Sequence, residues 1–177
     1  MNDEEAPEES VVELLDELLM MEMLRGQRDL EPEEARRWVE LQRILTRELC
    51  ESPITVDERR QYLRVATPML VWVVSPGASF QATVLDLGAG GMGLSAGVLP
   101  FPGEEVILEW ARSTSVPSDQ FSLDLPARVM WMRKATHELG PGFGVAFQPR
   151  LREHDHRISE LLLTLLRYER NARSGSG

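Results

Sequence analysis

From Ser10 onward the apolar residues recur at helical spacing: Val11, Leu14, Leu15, Leu18 and Leu19 form one stripe, widened by Val12, Met20, Met21, Met23 and Leu24. Ser10 followed by Glu13 fits a capping box, in which the serine oxygen and the glutamate side chain satisfy N–H groups that a helix start leaves unbonded. The pattern therefore predicts a helix from Val11 to about Arg25, with Gly26 as its stop. A second helix is predicted from about Asp29–Pro32 to Glu51. Its acidic first turn suits the helix dipole, proline suits the first helical position, and Ala35, Trp38, Val39, Leu41, Ile44, Leu45 and Leu49 form its apolar side. Two amphipathic helices joined by a short loop make a hairpin. A hairpin with so broad an apolar face has to dock on the rest of the chain or on another copy.

After Ser52-Pro53 the period changes from 3.6 to 2. Strands are predicted at Val65–Val74, with Pro68 at an edge or bulge, and at Phe80–Leu87, Met92–Ala96 and Glu105–Ala111. Two more are predicted at Phe121–Trp131 and around Phe143–Phe147. In the fifth, Phe121, Leu123, Leu125, Ala127, Val129 and Trp131 share one side by alternation. In the fourth, Val106, Leu108 and Trp110 do. Six short strands separated by turn signals, with no helix between them, read as an antiparallel barrel or sandwich. A closing helix follows from about Arg152 to Arg170, with Ile158, Leu161, Leu162, Leu165 and Leu166 as one core-facing stripe. This divides the chain into an acidic helical hairpin (1–52), with residues 1–9 frayed, a β-rich domain with its closing helix (53–170) and a flexible tail (171–177).

Composition sharpens the picture. Of 177 residues 29 are acidic and 19 basic, for a net charge of −10. The first 52 residues hold 16 acids and 6 bases, so all of the excess lies in the hairpin. A chain this acidic, with no basic run, suits neither duplex nucleic acid nor an anionic membrane surface. No apolar run approaches the ~20 residues of a membrane span, and the N-terminus has no signal-peptide pattern; a cytoplasmic protein is expected. One cysteine, Cys50, excludes a disulfide scaffold and a multi-cysteine metal site. His154-Asp155-His156 lacks a third ligand, and His137-Glu138 lacks the second histidine of a zinc-protease motif. No nucleophile–base pair is evident, so neither an enzyme nor a metal cofactor is expected.

Two features stand out. One is Asp57-Glu58-Arg59-Arg60-Gln61-Tyr62-Leu63-Arg64, with three arginines in six residues ahead of the first strand. The other is Asp86-Leu87-Gly88-Ala89-Gly90-Gly91-Met92-Gly93, a carboxylate at a strand end followed by four glycines. Arginine is a permanently charged planar fork that matches phosphate oxygens and the O6/N7 edge of guanine, and it stacks on bases. A carboxylate accepts from the N1 and N2 donors on guanine's pairing edge. Glycines admit close approach and positive φ. Tyr62 and Leu63, between the arginines, suit a packing anchor better than a ligand contact.

On these residues the chain resembles the PilZ domain family, the bacterial receptor module for cyclic di-GMP, whose signatures are RxxxR and [D/N]xSxxG. Arg60 and Arg64 match the first, with Arg59 as the commonly seen extra arginine, and Asp86 and Gly91 match the second. The Gly144-Val145-Ala146-Phe147 strand and the closing helix fit as well. The likeness covers roughly residues 57–168. It implies a mainly β fold, a six-stranded antiparallel barrel with a C-terminal helix, here preceded by the N-terminal helical hairpin. It also implies a cyclic di-GMP site built from Arg59, Arg60, Arg64, Asp86, Gly88 and Gly91. Gly88 stands where the family has serine, which removes a hydroxyl worth about 0.5–3 kcal/mol if it bonds the ligand. The resemblance implies a receptor that passes its signal to an effector protein, in a family whose outputs include motility; the broad apolar face of the hairpin adds the expectation of self-association through the helices. The alternative is a degenerate module that has lost the ligand and acts through helix-mediated assembly, with Leu15→Glu or Leu18→Glu as its test.

Overall fold

The computed structural model describes residues 10–49, 62–110, 124–137, 139–148 and 151–174. They form three helices and six strands: α1 (Val11–Gln27), α2 (Pro32–Leu49), β1 (Arg64–Ser75), β2 (Ala78–Gly88), β3 (Gly91–Ser95), β4 (Glu105–Trp110), β5 (Leu125–Arg133), β6 (Gly142–Phe147) and α3 (Arg152–Ser174). The chain divides into two compact units. One is helical, Met1–Leu63 with Ser159–Gly177, and the other, Arg64–Ile158, contains the sheet.

The sheet is a closed antiparallel barrel of strand order β1-β2-β3-β6-β5-β4. Closure removes the exposed edges that short strands would otherwise present. Alternation fills the interior: Val71, Val73, Ala82, Val84, Leu87, Met92, Leu94, Val106, Leu108, Leu125, Ala127, Val129, Phe143 and Val145 are all buried. Register irregularities interrupt this period three times. The one between Ala66 and Met69 brackets Pro68, as expected of a residue that cannot donate to the ladder. The second lies between Val84 and Asp86. The third, between Val129 and Trp131, overturns the alternation expected along β5: Leu125, Ala127 and Val129 face the core, whereas Trp131 is 40% exposed. A bulge inserts one extra residue and so moves everything beyond it to the other face. Phe121 and Leu123, expected on the same side, lie outside the described residues, as do Cys50 and residues 1–9.

In the helical unit the capping box at Ser10 is complete: Glu13 N–H donates to Ser10 Oγ, and Ser10 N–H donates to Glu13 Oε2. Gly26 does not end α1, contrary to expectation. The helix runs through it to Gln27 and stops at extended Arg28, whose N–H bonds Leu24 O. At that position Arg28 is forked by two 2.7 Å hydrogen bonds onto the Glu34 carboxylate of α2. Glu34 also accepts from Glu31 N–H at the start of α2. Leu14, Leu15, Leu18, Trp38, Leu41 and Leu45 are buried. On α3, Leu162 and Leu166 are buried, and Arg170 bonds Asp16 of α1 through two contacts.

The Arg28 fork, with help from Glu31 N–H, lowers the Glu34 pKa to about 2 from an ordinary 4.5. Arg37 likewise holds Glu17 below its ordinary value. A carboxyl depressed by folding stabilises above its unfolded pKa and loses that contribution as pH falls through its folded one. Helical signal is therefore expected to become less heat-resistant between about pH 4.5 and pH 2. Circular-dichroism melts of native and Glu34→Gln protein check this, since the variant should lose part of that pH dependence.

Candidate functional site

β1 begins and β2 ends at the same corner of the barrel, because Arg64 pairs with Gly88, Val65 with Leu87 and Ala66 with Asp86. Val65 and Leu87 point into the core, so Arg64 and Asp86 take the outer face. Although 22 positions apart in sequence, they meet there: Arg64 Nη1 donates to Asp86 Oδ1 at 2.5 Å. The pair is half-buried, with 25% and 33% of the two side chains exposed. Asp86 Oδ1 also accepts from Gly93 N–H at 3.2 Å. Among the described residues Oδ2 carries no hydrogen bond, and it is the oxygen available to a ligand donor.

The glycines beside this pair are required for space rather than for backbone angle. Close approach and positive φ were both expected of the run; among the described residues Gly103 alone has positive φ. Gly88 faces Gly91, and Gly91 faces Ala146 of β6. A Cβ at Gly91 would overlap the Val145 carbonyl oxygen, and one at Gly93 would lie 3.1 Å from both Asp86 oxygens. Gly91 thus lets β3 and β6 approach, and Gly93 leaves the Asp86 carboxylate uncovered. Gly91→Ala forces two strand backbones apart, and an overpacked site of this kind costs roughly 1–3 kcal/mol. Its thermal midpoint is expected to fall by several degrees, whereas Gly77→Ala, with no atom within 4 Å of the new Cβ, should leave it nearly unchanged.

Of the six residues singled out in the sequence, Arg64, Asp86, Gly88 and Gly91 come together at this corner. Arg59 and Arg60 lie outside the described residues. The anchor between them and β1 has a physical basis within the helical unit. Tyr62 packs on Trp38, with ring centroids 5.4 Å apart. Leu63 is buried, and its N–H donates to Gln42 Oε1 at 2.7 Å. Sequence reasoning missed the Gly93 amide at Asp86, although Gly93 stands in the same glycine run.

The PilZ domain family matches residues 58–165, more than half of the chain. No curated protein matches it. Among solved structures the chain is similar to the PilZ domain of CeSA from a cellulose-synthesizing bacterium, at 17% identity over 58% of this chain and 96% of that one, TM-score 0.44. It is also similar to the PilZ domain of YcgR from Escherichia coli, solved with c-di-GMP, at 15% identity over 66% and 98%, TM-score 0.49. The MrkH–c-di-GMP complex of K. pneumonia is similar at 13% identity over 64% and 55%, TM-score 0.52. With the strand order, the two sequence signatures and the family match in agreement, this chain belongs to the PilZ domain family.

Proposed function

We propose that the chain is a non-enzymatic receptor for cyclic di-GMP. The observation that carries this reading is the meeting of Arg64 and Asp86 on the outer face of the barrel beside Gly88, Gly91 and Gly93. Cyclic di-GMP carries two phosphodiesters and two guanines. Arg64, joined by Arg59 and Arg60, meets phosphate and the O6/N7 edge, and Asp86 accepts from N1 and N2. The Arg64–Asp86 pair holds both groups aimed at one place before the ligand arrives, and fixing side chains in advance lowers the ordering cost of binding. A water takes the place of the family's serine hydroxyl at Gly88.

The chain passes directly from Leu63, bonded to Gln42 of α2, into Arg64. Ligand contacts at Arg64 therefore bear along the chain on Leu63 and its bond to Gln42, and the signal passes from there to an effector protein. The receptor is read as cytoplasmic and self-associating. No helix among the described residues is long and apolar enough to cross a membrane. Calorimetric titration with cyclic di-GMP tests the receptor reading: saturable heat is expected, with none for 5′-GMP at equal concentration. No heat at high-micromolar dinucleotide contradicts it.

The second reading, an interaction module without ligand, is favoured by Met20, Met23 and Val39, which are exposed on α1 and α2. Leu15 and Leu18 are fully buried, so Leu15→Glu or Leu18→Glu would unfold the helices instead of testing assembly. Met20→Glu with Met23→Glu is the informative variant. On this reading it turns an oligomer into a monomer by light scattering while the arginine substitutions leave assembly intact.

A further inference from the structure

An antiparallel strand with one wet face ordinarily alternates apolar and polar residues. The middle of β2 keeps that rule: Ala82 and Val84 are buried, while Gln81 and Thr83 lie on the outer side. β1 breaks it. Leu70-Val71-Trp72-Val73-Val74 is apolar at every position, a run suited to a strand covered on both faces. Val71 and Val73 fill the barrel, yet Leu70 is 47% exposed and Trp72 41%. The neighbouring strands extend the patch. Val74 pairs with Ile107 of β4, which is exposed, and Leu70 pairs with Thr83, two positions from exposed Leu85. Leu85, Leu70, Trp72, Val74 and Ile107 thus make one apolar stripe on the outer face. From Leu70 to Val74 it runs about 14 Å, two to three turns of an α-helix.

Charge decides what fits on it. Beyond Arg64, β1, β2 and β4 contain no lysine or arginine. β4 places Glu105 and Glu109 outward on either side of Ile107. Glu105 bonds Arg128. Glu109, directly across from Trp72, carries no hydrogen bond or ion pair among the described residues. The stripe is therefore edged by an unpaired carboxylate on β4 and by the neutral Gln81 and Thr83 on β2. A second copy of this face would set acid against acid, and an anionic lipid surface would be repelled. An apolar row with an acidic margin complements a helix that carries aliphatic residues on one face and lysine or arginine beside them.

We propose that the outer face of β1 and β4 is the docking surface for a basic amphipathic helix of the effector protein, with Trp72 as its central anchor and Glu109 as its charge partner. A large aromatic side chain at the centre of such a patch carries a disproportionate share of the binding energy. The role as effector contact rests on the receptor reading above: β1 and β2 carry Arg64 and Asp86 at one end and the stripe farther along.

The probe is a synthetic peptide of about 18 residues, long enough to hold helical structure, with leucine on one face and lysine on the other. A leucine–glutamate peptide of the same pattern is the control. Both are titrated onto the full chain and followed by backbone amide shifts. The lysine peptide is expected to move Leu70, Trp72, Ile107 and Glu109 to saturation, and the glutamate peptide to leave them still. Leu70→Thr with Trp72→Thr, which keeps strand-forming residues in β1, should weaken the lysine peptide by about tenfold or more. Glu109→Lys leaves the apolar stripe whole and should weaken it severalfold, so a folding defect in one variant does not decide the outcome. Saturating shifts confined to α1 and α2, in the region that holds the chain's acidic excess, contradict the proposal. So does native-like peptide binding by either variant. A change of oligomeric state in the Trp72 variant by light scattering also contradicts it, because the face is then a contact between copies. Cyclic di-GMP is titrated separately. If the chain binds it while the peptide ignores β1 and β4, the docking surface is wrong and the receptor reading stands. If the peptide docks on β1 and β4 and the dinucleotide never binds, the surface stands and the receptor reading falls.

Discussion

Replacing Asp86 with alanine is expected to weaken cyclic di-GMP binding by about a hundredfold or more. A carboxylate that accepts from both N1 and N2 of guanine makes two charge-assisted hydrogen bonds, each worth about 1.5–3 kcal/mol. The substitution also removes the anchor of Arg64, whose Nη1 bonds Asp86 Oδ1, so the arginine meets the ligand without prior orientation. Asp86→Asn separates the two contributions. Its amide oxygen still accepts from Gly93 N–H, which Oδ1 now holds, but it lacks the charge and presents donors toward guanine's donors. Asn is therefore expected to bind nearly as weakly as Ala. The fold should survive either change, because a half-exposed ion pair contributes only about 0–1 kcal/mol. Titration calorimetry with parallel melts checks this: weak binding by a protein that melts near the native temperature supports the direct role.

The largest stability effect is expected in the helical unit, at Glu22. This carboxylate is fully buried. Oε1 accepts from Trp38 Nε1 at 2.8 Å and Oε2 from Arg25 Nε at 3.0 Å. The Arg25 guanidinium lies 5.2 Å from the centroid of the Trp38 ring, in the range of a cation–π contact, and Tyr62 packs against that ring. Glu22→Ala strands the indole N–H in the interior, takes the counter-charge from Arg25 and opens a cavity. Removing one member of a buried ionic pair costs about 3–5 kcal/mol, a drop of well over ten degrees in a unit of this size. Glu22→Gln keeps an acceptor for Trp38 and loses only the charge, so it should fall between alanine and native. Differential scanning calorimetry of the three proteins gives the order: native, Gln, Ala.

Much of this architecture was legible in the chain. The two helices, the six strands and the closing helix follow from periodicity, and the corner where Arg64 meets Asp86 follows from strand order together with the RxxxR and Asp86…Gly91 signatures. Bulges were not legible. Strict alternation put Trp131 in the core with Val129, but one inserted residue turned it outward, and nothing in Val129-Met130-Trp131-Met132 marks the insertion. Pro68 did announce its irregularity, because a missing N–H is visible in sequence. Glu22 was equally silent. A glutamate among methionines on a broad apolar face reads as solvent-facing until the fold brings Trp38 and Arg25 to it. Gly26 misled because glycine is a common helix stop, whereas the helix runs on to Gln27 and ends at extended Arg28. The glycine run was correctly read as making room for close approach. Only the φ argument failed, since close packing of β3 on β6 and an open Asp86 carboxylate account for Gly91 and Gly93 without it.

The central claim is that the dinucleotide lands on the outer face of the barrel between the start of β1 and the end of β2. Backbone amide chemical-shift mapping during titration with cyclic di-GMP tests it most directly. The account predicts saturating shifts at Arg64, Asp86, Gly88, Gly91 and Gly93, with the Gly93 amide among the largest because its acceptor is Asp86 itself. Saturable binding that leaves those amides still and moves resonances elsewhere would contradict it.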